Sequence, residues 1–317
     1  MKVSVLFTFC SLLFLSCNKK GDDQIPVPKG FAFQIQTDPA TNHLYYISSN
    51  GGSFGQVTAD NLGKNLNKPT WSADGRRILF VKNSSDAGVN GVYSIKSNGT
   101  EMTPVYKDND QQSRQYGQLC SSSDNEYIVF SMEIPRGDRK VTELFTMCPC
   151  GQRVVRLTEI ETQRQPFINT ESYSGSFSPL DTALVFSQSD PTINGLKTVN
   201  IYTINIKTKT LRLITAFKAA DVASCAPSYS PDGTKFLLSI DGLLHTMNGD
   251  GSDLKPLGSL RGFRPVWDSN GKDFYFSSGP LTDLAPGIYK SNIYVTSIEK
   301  INRDAVNGIV GAVDVNL

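Results

Sequence analysis

Histidine is scarce in this sequence, and neither sign of charge is in excess. Of the 317 residues only 2 are His, and 31 Lys plus Arg stand against 30 Asp plus Glu, which gives a formal net charge of +1. Balanced charge argues against a basic surface that binds nucleic acid, and two imidazoles are too few for a histidine-rich metal centre. The sequence also lacks a His-Glu-x-x-His pair and a phosphate-binding glycine loop. These absences predict no catalytic residue, no metal site, no cofactor and no nucleic-acid partner.

A long helical period is also missing, and a recurring β-hairpin takes its place. In the stretch Pro227–Leu238, Pro231 presets φ at the start of a tight turn, and Gly233 tolerates the positive φ that ends it. Four copies place an aromatic ring nine positions before an apolar residue, and the pairs are Trp71 and Phe80, Phe177 and Phe186, Tyr229 and Leu238, and Trp267 and Phe276. A weaker fifth copy, Tyr116–Phe130, has Leu119 in the aromatic slot and about two extra residues in its turn.

Two structural expectations follow from these hairpins. The four aromatic residues should be equivalent buried wedges between neighbouring repeats. The turn carboxylates Asp74, Asp181 and Asp232 should cap their own turns through hydrogen bonds to the backbone, and should not act as acids.

Further strand patterns follow each hairpin. Gly91–Thr100 is a strand that runs into an Asn-Gly turn, and Val154–Thr158 is a closing strand. Four antiparallel strands per unit, spaced about 40 to 58 residues apart, are typical of propeller blades. Phe31–Thr58 forms a degenerate sixth blade, and the tail Gly308–Val315 could supply its missing strand and so remove an exposed sheet edge. We therefore predict an all-β fold, a six-bladed β-propeller of four-stranded antiparallel blades.

The repeat has a recognisable consensus. The order Pro-x-aromatic-Ser-Pro-Asp-Gly, a β-strand, Ile-Tyr-x-Met/Ile and then Leu-Thr resembles the TolB-type β-propeller repeat, and five copies cover roughly Asn67–Ile298. Propellers with this repeat serve as interaction platforms, as gates in front of peptidase domains, and in some cases as lyases with several histidines around a metal. The resemblance therefore implies a fold and leaves the function open.

The first residues have the pattern of a targeting segment. A basic Lys2, the apolar run Val5–Leu15 and the small residue before Cys17 resemble a bacterial lipoprotein signal, and an ordinary secretory signal with a chance cysteine is the alternative. We assign residues 1–16 to the signal peptide, 17–29 to the lipidated Cys17 and a flexible tether, and 30–317 to the propeller.

The residues around the lipidation site also indicate where the protein resides. By resemblance to enterobacterial sorting, Asn18 after the cysteine favours the outer membrane. The charged tether is similar to surface-export tethers of Bacteroidetes lipoproteins, although a plain solvated linker is the alternative. We expect an outer-membrane protein, anchored by lipid on Cys17, that faces the periplasm or the cell surface.

Four cysteines remain in the predicted propeller. Cys148 and Cys150 lie in an outer hairpin turn, and they form either a local disulfide or two turn thiols, because a metal site would need a second pair of ligands. We do not pair Cys120 with Cys225, since they belong to blades that are separated by another blade.

The most promising binding surface is one mouth of the ring, where loops precede the innermost strands. These loops are residues 65–69, 111–117, 171–175, 224–227 and 262–265, and we call this end of the channel the loop mouth. They carry residue types that dominate interface hot spots, which are Arg114, Tyr116, Tyr173, Phe263 and Arg264. Each of them could instead only pack blade against blade.

The sequence therefore favours a protein that binds over one that catalyses. We expect a cell-envelope lipoprotein whose propeller is a non-catalytic platform for a protein or glycan partner. The alternatives are a propeller enzyme of the lyase or hydrolase type, with carboxylate chemistry in the channel, and an accessory propeller of a separate catalytic chain. His43 and His245 fall on second or third strands of separate blades, away from the channel.

Overall fold

The computed structural model is all-β in the part of the chain that it describes. It describes residues 30–38, 41–48, 53–59, 66–84, 89–107, 114–136, 139–158, 175–189, 197–219, 225–278, 282, 284–285, 287–301 and 309–316. Within these ranges there are 24 strands and no helix, and none of the elements is a helix that could cross a membrane.

The strands form six antiparallel sheets of four, which are the blades of a propeller. The first strands along the chain are β1 (Gly30–Asp38), β2 (Thr41–Ser48) and β3 (Phe54–Gln56). Blade 1 contains β4 (Leu66–Trp71), β5 (Arg77–Lys82), β6 (Gly91–Lys96) and β7 (Thr103–Lys107). Blade 2 contains β8 (Tyr116–Ser121), β9 (Ile128–Arg136), β10 (Arg139–Met147) and β11 (Val155–Arg156).

Four further blades follow around the ring. Blade 3 contains β12 (Gly175–Phe177), β13 (Ala183–Ser189), β14 (Lys197–Asn205) and β15 (Leu211–Ala219). Blade 4 contains β16 (Ser228–Tyr229), β17 (Lys235–Ile240), β18 (Leu243–Asn248) and β19 (Lys255–Arg261). Blade 5 contains β20 (Phe263–Trp267), β21 (Asp273–Ser278), β22 (Gly287–Asn292) and β23 (Ile298–Lys300). The last strand, β24 (Ile309–Asn316), joins β1, β2 and β3 to form blade 6 in the order β24-β1-β2-β3.

Blade 6 closes the ring with strands from both ends of the described chain. β24 pairs antiparallel with β1, and Val313 lies opposite Phe33. The innermost strands β4, β8, β12, β16, β20 and β24 contact one another in a closed circle. The predicted six-bladed fold and the predicted closure by the tail are both confirmed.

The blades are held together by six apolar clusters, one at each interface between neighbours. Between blades 6 and 1, for example, Ala32 and Leu44 pack with Phe80, and all three are fully buried. The equivalent cluster between blades 2 and 3 contains Val129 and Phe186. Burial of both faces of every sheet explains why these strands are rich in apolar residues on both sides.

The recurring hairpin joins the innermost strand of a blade to its second strand. In blade 1, the Ser72 amide donates to the Arg77 carbonyl over 2.9 Å, and the Gly75 amide donates to the Ser72 carbonyl over 2.7 Å. The fourth turn position needs a positive φ, and it is occupied by Gly75, Asn125, Asp181, Gly233 and Gly271 in blades 1 to 5. Asn and Asp tolerate this conformation better than other non-glycine residues do.

The fifth hairpin copy differs from its prediction. The Ser122 amide donates to the Tyr127 carbonyl, as in the turn of blade 1, so this turn has no extra residues. Ser121 lies opposite Ile128, just as Trp71 lies opposite Ile78. The assignment of Leu119 to the aromatic slot was therefore wrong by two positions, because Asn125 in place of the turn glycine concealed the true register. Leu119 is nevertheless buried, at 6% exposure.

The four aromatic residues occupy equivalent positions but are not equally buried. Trp71 and Trp267 are 5% and 7% exposed and belong to interface clusters. Phe177 and Tyr229 pack against neighbouring clusters and are half-buried. The predicted wedges are therefore confirmed as buried for the two tryptophans and only partly for the other two rings.

A threonine after the last strand closes two blades through a side-chain bond, preceded by Val57 in blade 6 and by Leu157, as in the Leu-Thr signature, in blade 2. The Thr58 hydroxyl oxygen accepts from the Leu44 amide over 3.0 Å, and the Thr158 hydroxyl oxygen accepts from the Leu144 amide over 2.9 Å. Each threonine continues the sheet past the end of the outermost strand, and this bond explains the Leu-Thr motif in blade 2.

The turns between third and fourth strands dock onto the preceding blade through glycine. A Cβ added at Gly99 would lie 2.5 Å from the Val57 carbonyl oxygen, and one added at Gly151 would lie 1.7 Å from the Val105 carbonyl oxygen. Gly251 approaches Ile214 in the same way. All three glycines have positive φ, so both the conformation and the close contact require glycine.

The cysteines follow the sequence prediction. Cys148 and Cys150 form a local disulfide in the turn that ends at Gly151, which is the first of the two predicted alternatives. Cys120 and Cys225 are buried thiols in different interface clusters.

Candidate functional site

The channel at the centre of the ring contains a cavity of about 310 Å³. The innermost strands of blades 1 to 5 line it, and its lining residues are 68–73, 118–123, 175–177, 226–228 and 264–266. On the opposite side from the loop mouth, the hairpin turns surround a second cavity of about 420 Å³. We call this opposite end of the channel the turn mouth.

Two cationic residues and no acidic residue belong to the described lining of the 310 Å³ cavity. Lys68 and Arg264 each stand three positions before the tryptophan of their innermost strand and directly before a proline. Their strands, β4 and β20, lie on either side of β24 in the ring. The repeat therefore brings two positive side chains to one level of the channel.

Both cations lie in a β-bulge. The register shifts between Asn67 and Thr70 in blade 1, and between Phe263 and Val266 in blade 5. Lys68 has a φ of 53° and Arg264 a φ of 50°. A left-handed conformation costs a non-glycine residue roughly 1 to 2 kcal/mol, so the fold maintains two strained residues at this level of the channel.

Arg264 is enclosed without a counter-charge in the part of the chain that the structure describes. Burial of its guanidinium lowers the pKa of Arg264 from its ordinary value. The residue as a whole is half-buried, since it borders the cavity. No ion pair with a described carboxylate offsets the desolvation of this cation, and desolvation of an unpaired charge is unfavourable.

Polar contacts between blades fix the walls of the channel. The Ser176 hydroxyl oxygen accepts from the Tyr229 amide of the next blade over 2.9 Å. The Gln118 side-chain amide donates to the Gly175 carbonyl, also in the next blade, over 3.0 Å. These bonds cross two successive interfaces, so the lining residues are positioned by the stacking of blades.

Asp181 also makes a contact between blades, and this corrects its prediction. Its carboxylate accepts from the Ser123 hydroxyl over 2.5 Å and from the Asp124 amide over 3.0 Å, both in the turn of blade 2. Asp74 and Asp232 do cap their own turns, as predicted, by accepting from the amides of Arg76 and Thr234. Asp181 departs from them because it has taken the positive-φ position of the turn.

The predicted hot-spot residues lie in different environments. Arg114 is half-buried near the loop mouth, and its carbonyl accepts from the Asn90 side chain over 2.9 Å. Tyr116 is 3% exposed and packs on Phe130 within the core between blades 1 and 2. Phe263 is half-buried, and its ring lies against Gly242 of blade 4.

Of the remaining predicted residues, Arg264 alone lines the cavity. Tyr173 and the lipidation site Cys17 lie outside the described residues. Sequence reasoning missed Lys68 as a partner of Arg264, although the shared pattern of a cation, a proline, any residue and a tryptophan occurs at both sites and was a usable signal.

The two histidines lie away from the channel. His43 is on β2 and His245 on β18, each the third strand of its blade counted from the axis, which agrees with the register predicted for them. The His245 ring nitrogen Nδ1 lies 2.8 Å from the Leu243 carbonyl oxygen. Burial lowers the pKa of His245 from its ordinary value of 6.5. Among the described residues no group of three or more His, Cys, Asp and Glu side chains could hold a metal ion.

Solved structures with a similar fold belong to proteins of several kinds, whereas the sequence matches no protein-family model and no curated protein. TolB from Acinetobacter baumannii is similar with a TM-score of 0.64 at 15% identity, over 90% of this chain and 66% of the TolB chain. A chain of a nidogen/laminin complex has a TM-score of 0.64 at 9% identity, over 91% of this chain and 98% of its own. An oligogalacturonate lyase in complex with manganese has a TM-score of 0.54 at 13% identity, over 84% of this chain and 72% of its own.

These similarities establish the propeller fold. At such identities the neighbours, which include both binding proteins and enzymes, do not transfer an activity to this chain.

Proposed function

We propose that the protein is a non-catalytic binding platform of the cell envelope. The lipid on Cys17 anchors it to the outer membrane, and the propeller takes a protein or glycan partner at the loop mouth. One observation carries this proposal. The innermost strands of five blades converge on a cavity whose described lining has hydroxyl, amide and cationic groups and no carboxylate or imidazole.

This set of side chains favours binding over acid–base chemistry. General acid–base catalysis needs a titratable group within hydrogen-bond reach of the substrate, and the cationic groups of the lining are better suited to holding a ligand. Solved structures with a similar fold include a chain of a nidogen/laminin complex, and this precedent supports a protein partner at one mouth.

Affinity capture with matched variants on the two mouths tests the proposal. The full chain, purified in detergent, serves as bait for solubilised envelope proteins and envelope glycans. We expect Arg114→Ala at the loop mouth to reduce recovery of the partner by about tenfold or more, as hot-spot residues do. Tyr294 is 78% exposed in the turn after β22, on the side of the turn mouth, so Tyr294→Ala should leave recovery unchanged.

Equal recovery by the two variants, once both are shown to be folded, would contradict binding at the loop mouth. Turnover of an envelope oligosaccharide or peptide by the wild-type chain would favour the enzyme alternative.

Anchoring is tested separately. Cys17→Ser removes the thiol that would carry the lipid, and a lipid chain contributes about 0.8 kcal/mol per buried methylene to membrane affinity. We expect the variant to leave the membrane fraction. A variant that still partitions into detergent like the wild type would show that the lipoprotein assignment is wrong.

A further inference from the structure

Arg264 presents an unexplained feature of the channel. Its side chain makes no hydrogen bond and no ion pair within the part of the chain that the structure describes, and its guanidinium is desolvated. Lys290, a cation of the same blade, is paired, since it lies 3.3 Å from Asp268 and 3.0 Å from Asp273. A partly buried cation without a partner is unfavourable unless an anion joins it.

The backbone conformation of Arg264 recurs at the equivalent residue of another blade. Arg264 has the left-handed φ of 50°, and Lys68 repeats both the charge and the conformation at the equivalent position of blade 1. Strained residues of this kind are concentrated at ligand sites, because the surrounding structure must hold them against their preference. Of the described non-glycine residues with a positive φ, Lys68 and Arg264 are the two that line this cavity.

The rest of the cavity is compatible with an anion. Its described lining contributes no acidic side chain that would repel one. Hydroxyl groups from Ser121, Ser176 and Ser228 and the amide of Gln118 belong to the same lining. A volume of about 310 Å³ is within the range of small-molecule sites. A guanidinium offers two parallel N–H donors, which match the oxygens of a carboxylate or a phosphate.

We propose that this cavity binds the oxyanion of a small molecule, a carboxylate or a phosphate group, on the guanidinium of Arg264. Lys68 adds positive charge from the other side of β24. The site lies in the same cavity that supports the proposed function, but it requires no macromolecular partner, so it stands whether or not such a partner binds at the loop mouth.

Direct binding of two probes tests the site and identifies its chemistry. The full chain in detergent is titrated calorimetrically at low ionic strength with inorganic phosphate and, separately, with succinate. We expect one of them to bind and to raise the melting temperature, because a ligand that binds only the folded state stabilises it. Arg264→Gln should weaken that affinity at least tenfold and abolish the thermal shift, while Arg264→Lys should retain part of both.

A matched arginine outside the cavity provides the control. Arg261 is exposed and donates to the Asp241 carbonyl, so Arg261→Gln should bind the probe as the wild type does. Without a ligand, Arg264→Gln should melt no lower than the wild type, since it removes an uncompensated cation.

Three results would overturn the proposal. They are no binding of either probe, equal binding by Arg264→Gln, and equal loss by Arg261→Gln. If Arg264→Gln does not fold, Lys68→Gln decides, because it should weaken the same probe at least threefold, and unchanged affinity would reject the site. Since no envelope partner takes part, this experiment can fail while the capture experiment succeeds, and the reverse.

Discussion

At the residue scale, the side chain at one position of the repeat is buried to different extents in different blades. The slot next to the hairpin turn holds Trp71 and Trp267 as nearly buried rings, Phe177 and Tyr229 as half-buried rings, and Ser121 with no ring at all. The Trp267 indole also donates to the Ser228 carbonyl of the preceding blade over 3.2 Å. The stability contributed by this slot therefore depends on the interface that each ring meets.

We expect Trp71→Ala and Trp267→Ala each to lower the free energy of unfolding by about 3 to 5 kcal/mol, because a large buried ring leaves a cavity. Phe177→Ala and Tyr229→Ala should lose roughly half as much, because these rings are already partly solvated. Urea unfolding measures the differences. Leu180 is 82% exposed, so Leu180→Ala is the control and should change stability by less than about 0.5 kcal/mol. Equal losses at all four positions would show that the burial differences are unimportant.

The half-buried ring of His245 predicts a contribution to stability that depends on pH. Its folded-state pKa lies below the ordinary value of 6.5 because burial disfavours the charged ring. The unfolded chain therefore binds the proton more readily, and this contribution is complete above pH 6.5 and declines as pH falls below it. We expect His245→Gln to have a shallower decline in unfolding free energy than the wild type between neutral pH and about pH 5. Identical slopes in the two proteins would contradict this.

At the element scale, the turns between third and fourth strands connect neighbouring blades. The Cys148–Cys150 disulfide lies in the turn whose Gly151 touches the backbone of blade 1. The disulfide and the glycine contact together fix the shape of this turn. The turn therefore helps to fix how blade 2 packs against blade 1.

Replacement of Gly151 tests the contact between blades. In Gly151→Ala the added methyl would lie 1.7 Å from the Val105 carbonyl oxygen, in a residue with positive φ. Gly258 also has positive φ but has no atom within 4 Å of such a methyl, so Gly258→Ala measures the backbone strain alone. We expect Gly151→Ala to lower the free energy of unfolding by about 1 to 3 kcal/mol more than Gly258→Ala does. Equal losses of unfolding free energy in the two variants would mean that the contact between Gly151 and blade 1 does not contribute to stability.

The strands and turns of this fold could be predicted from the sequence because its turn residues have specific conformational preferences. The hairpin copies were found because Pro, Asp and Gly have fixed roles within a turn, and the closing tail was found because a propeller has to pair its ends. The two errors arose where another residue took the position of the turn glycine. Because Asn125 stands where the turn glycine was expected, the register of blade 2 was predicted wrongly. Asp181 accepts a hydrogen bond from the turn of blade 2 and does not cap its own turn.

The candidate site was less accessible to sequence reasoning. Arg264 was chosen as a residue type suited to interfaces, but its enclosure and its lack of a described counter-charge arise from blade stacking. Tyr116 was chosen for the same reason and lies in the core. Nothing in the local sequence distinguishes these two environments.

At the scale of the whole molecule, the ring depends on its closure. Each interface has its own apolar cluster, so no single core dominates, and the cluster between blades 5 and 6 joins Phe31 to Tyr275. If β24 were absent, β1 would present an unpaired edge at the centre of the ring, and unpaired edges promote association between chains.

Deletion of residues 309–316 should therefore abolish a single cooperative melting transition and produce aggregates, which calorimetry and size-exclusion chromatography would detect. A circular permutant is the matched control. Gly30 lies opposite Asn316, so a short Asn-Gly turn can join them, with new ends cut after Thr158 between blades 2 and 3. We expect the permutant to be monomeric and to melt cooperatively. A deletion variant that melts as the wild type does would show that β24 is dispensable.

The pairing of β24 with β1 also constrains how the protein is made. The first strand of the propeller has no neighbour on its inner side until residue 316 has left the ribosome, about 280 residues after β1. Contacts so distant in sequence form slowly, and the ring stays open at least until β24 has been synthesised. Until β24 has been made, the polypeptide cannot complete the ring and can still be threaded as an extended chain.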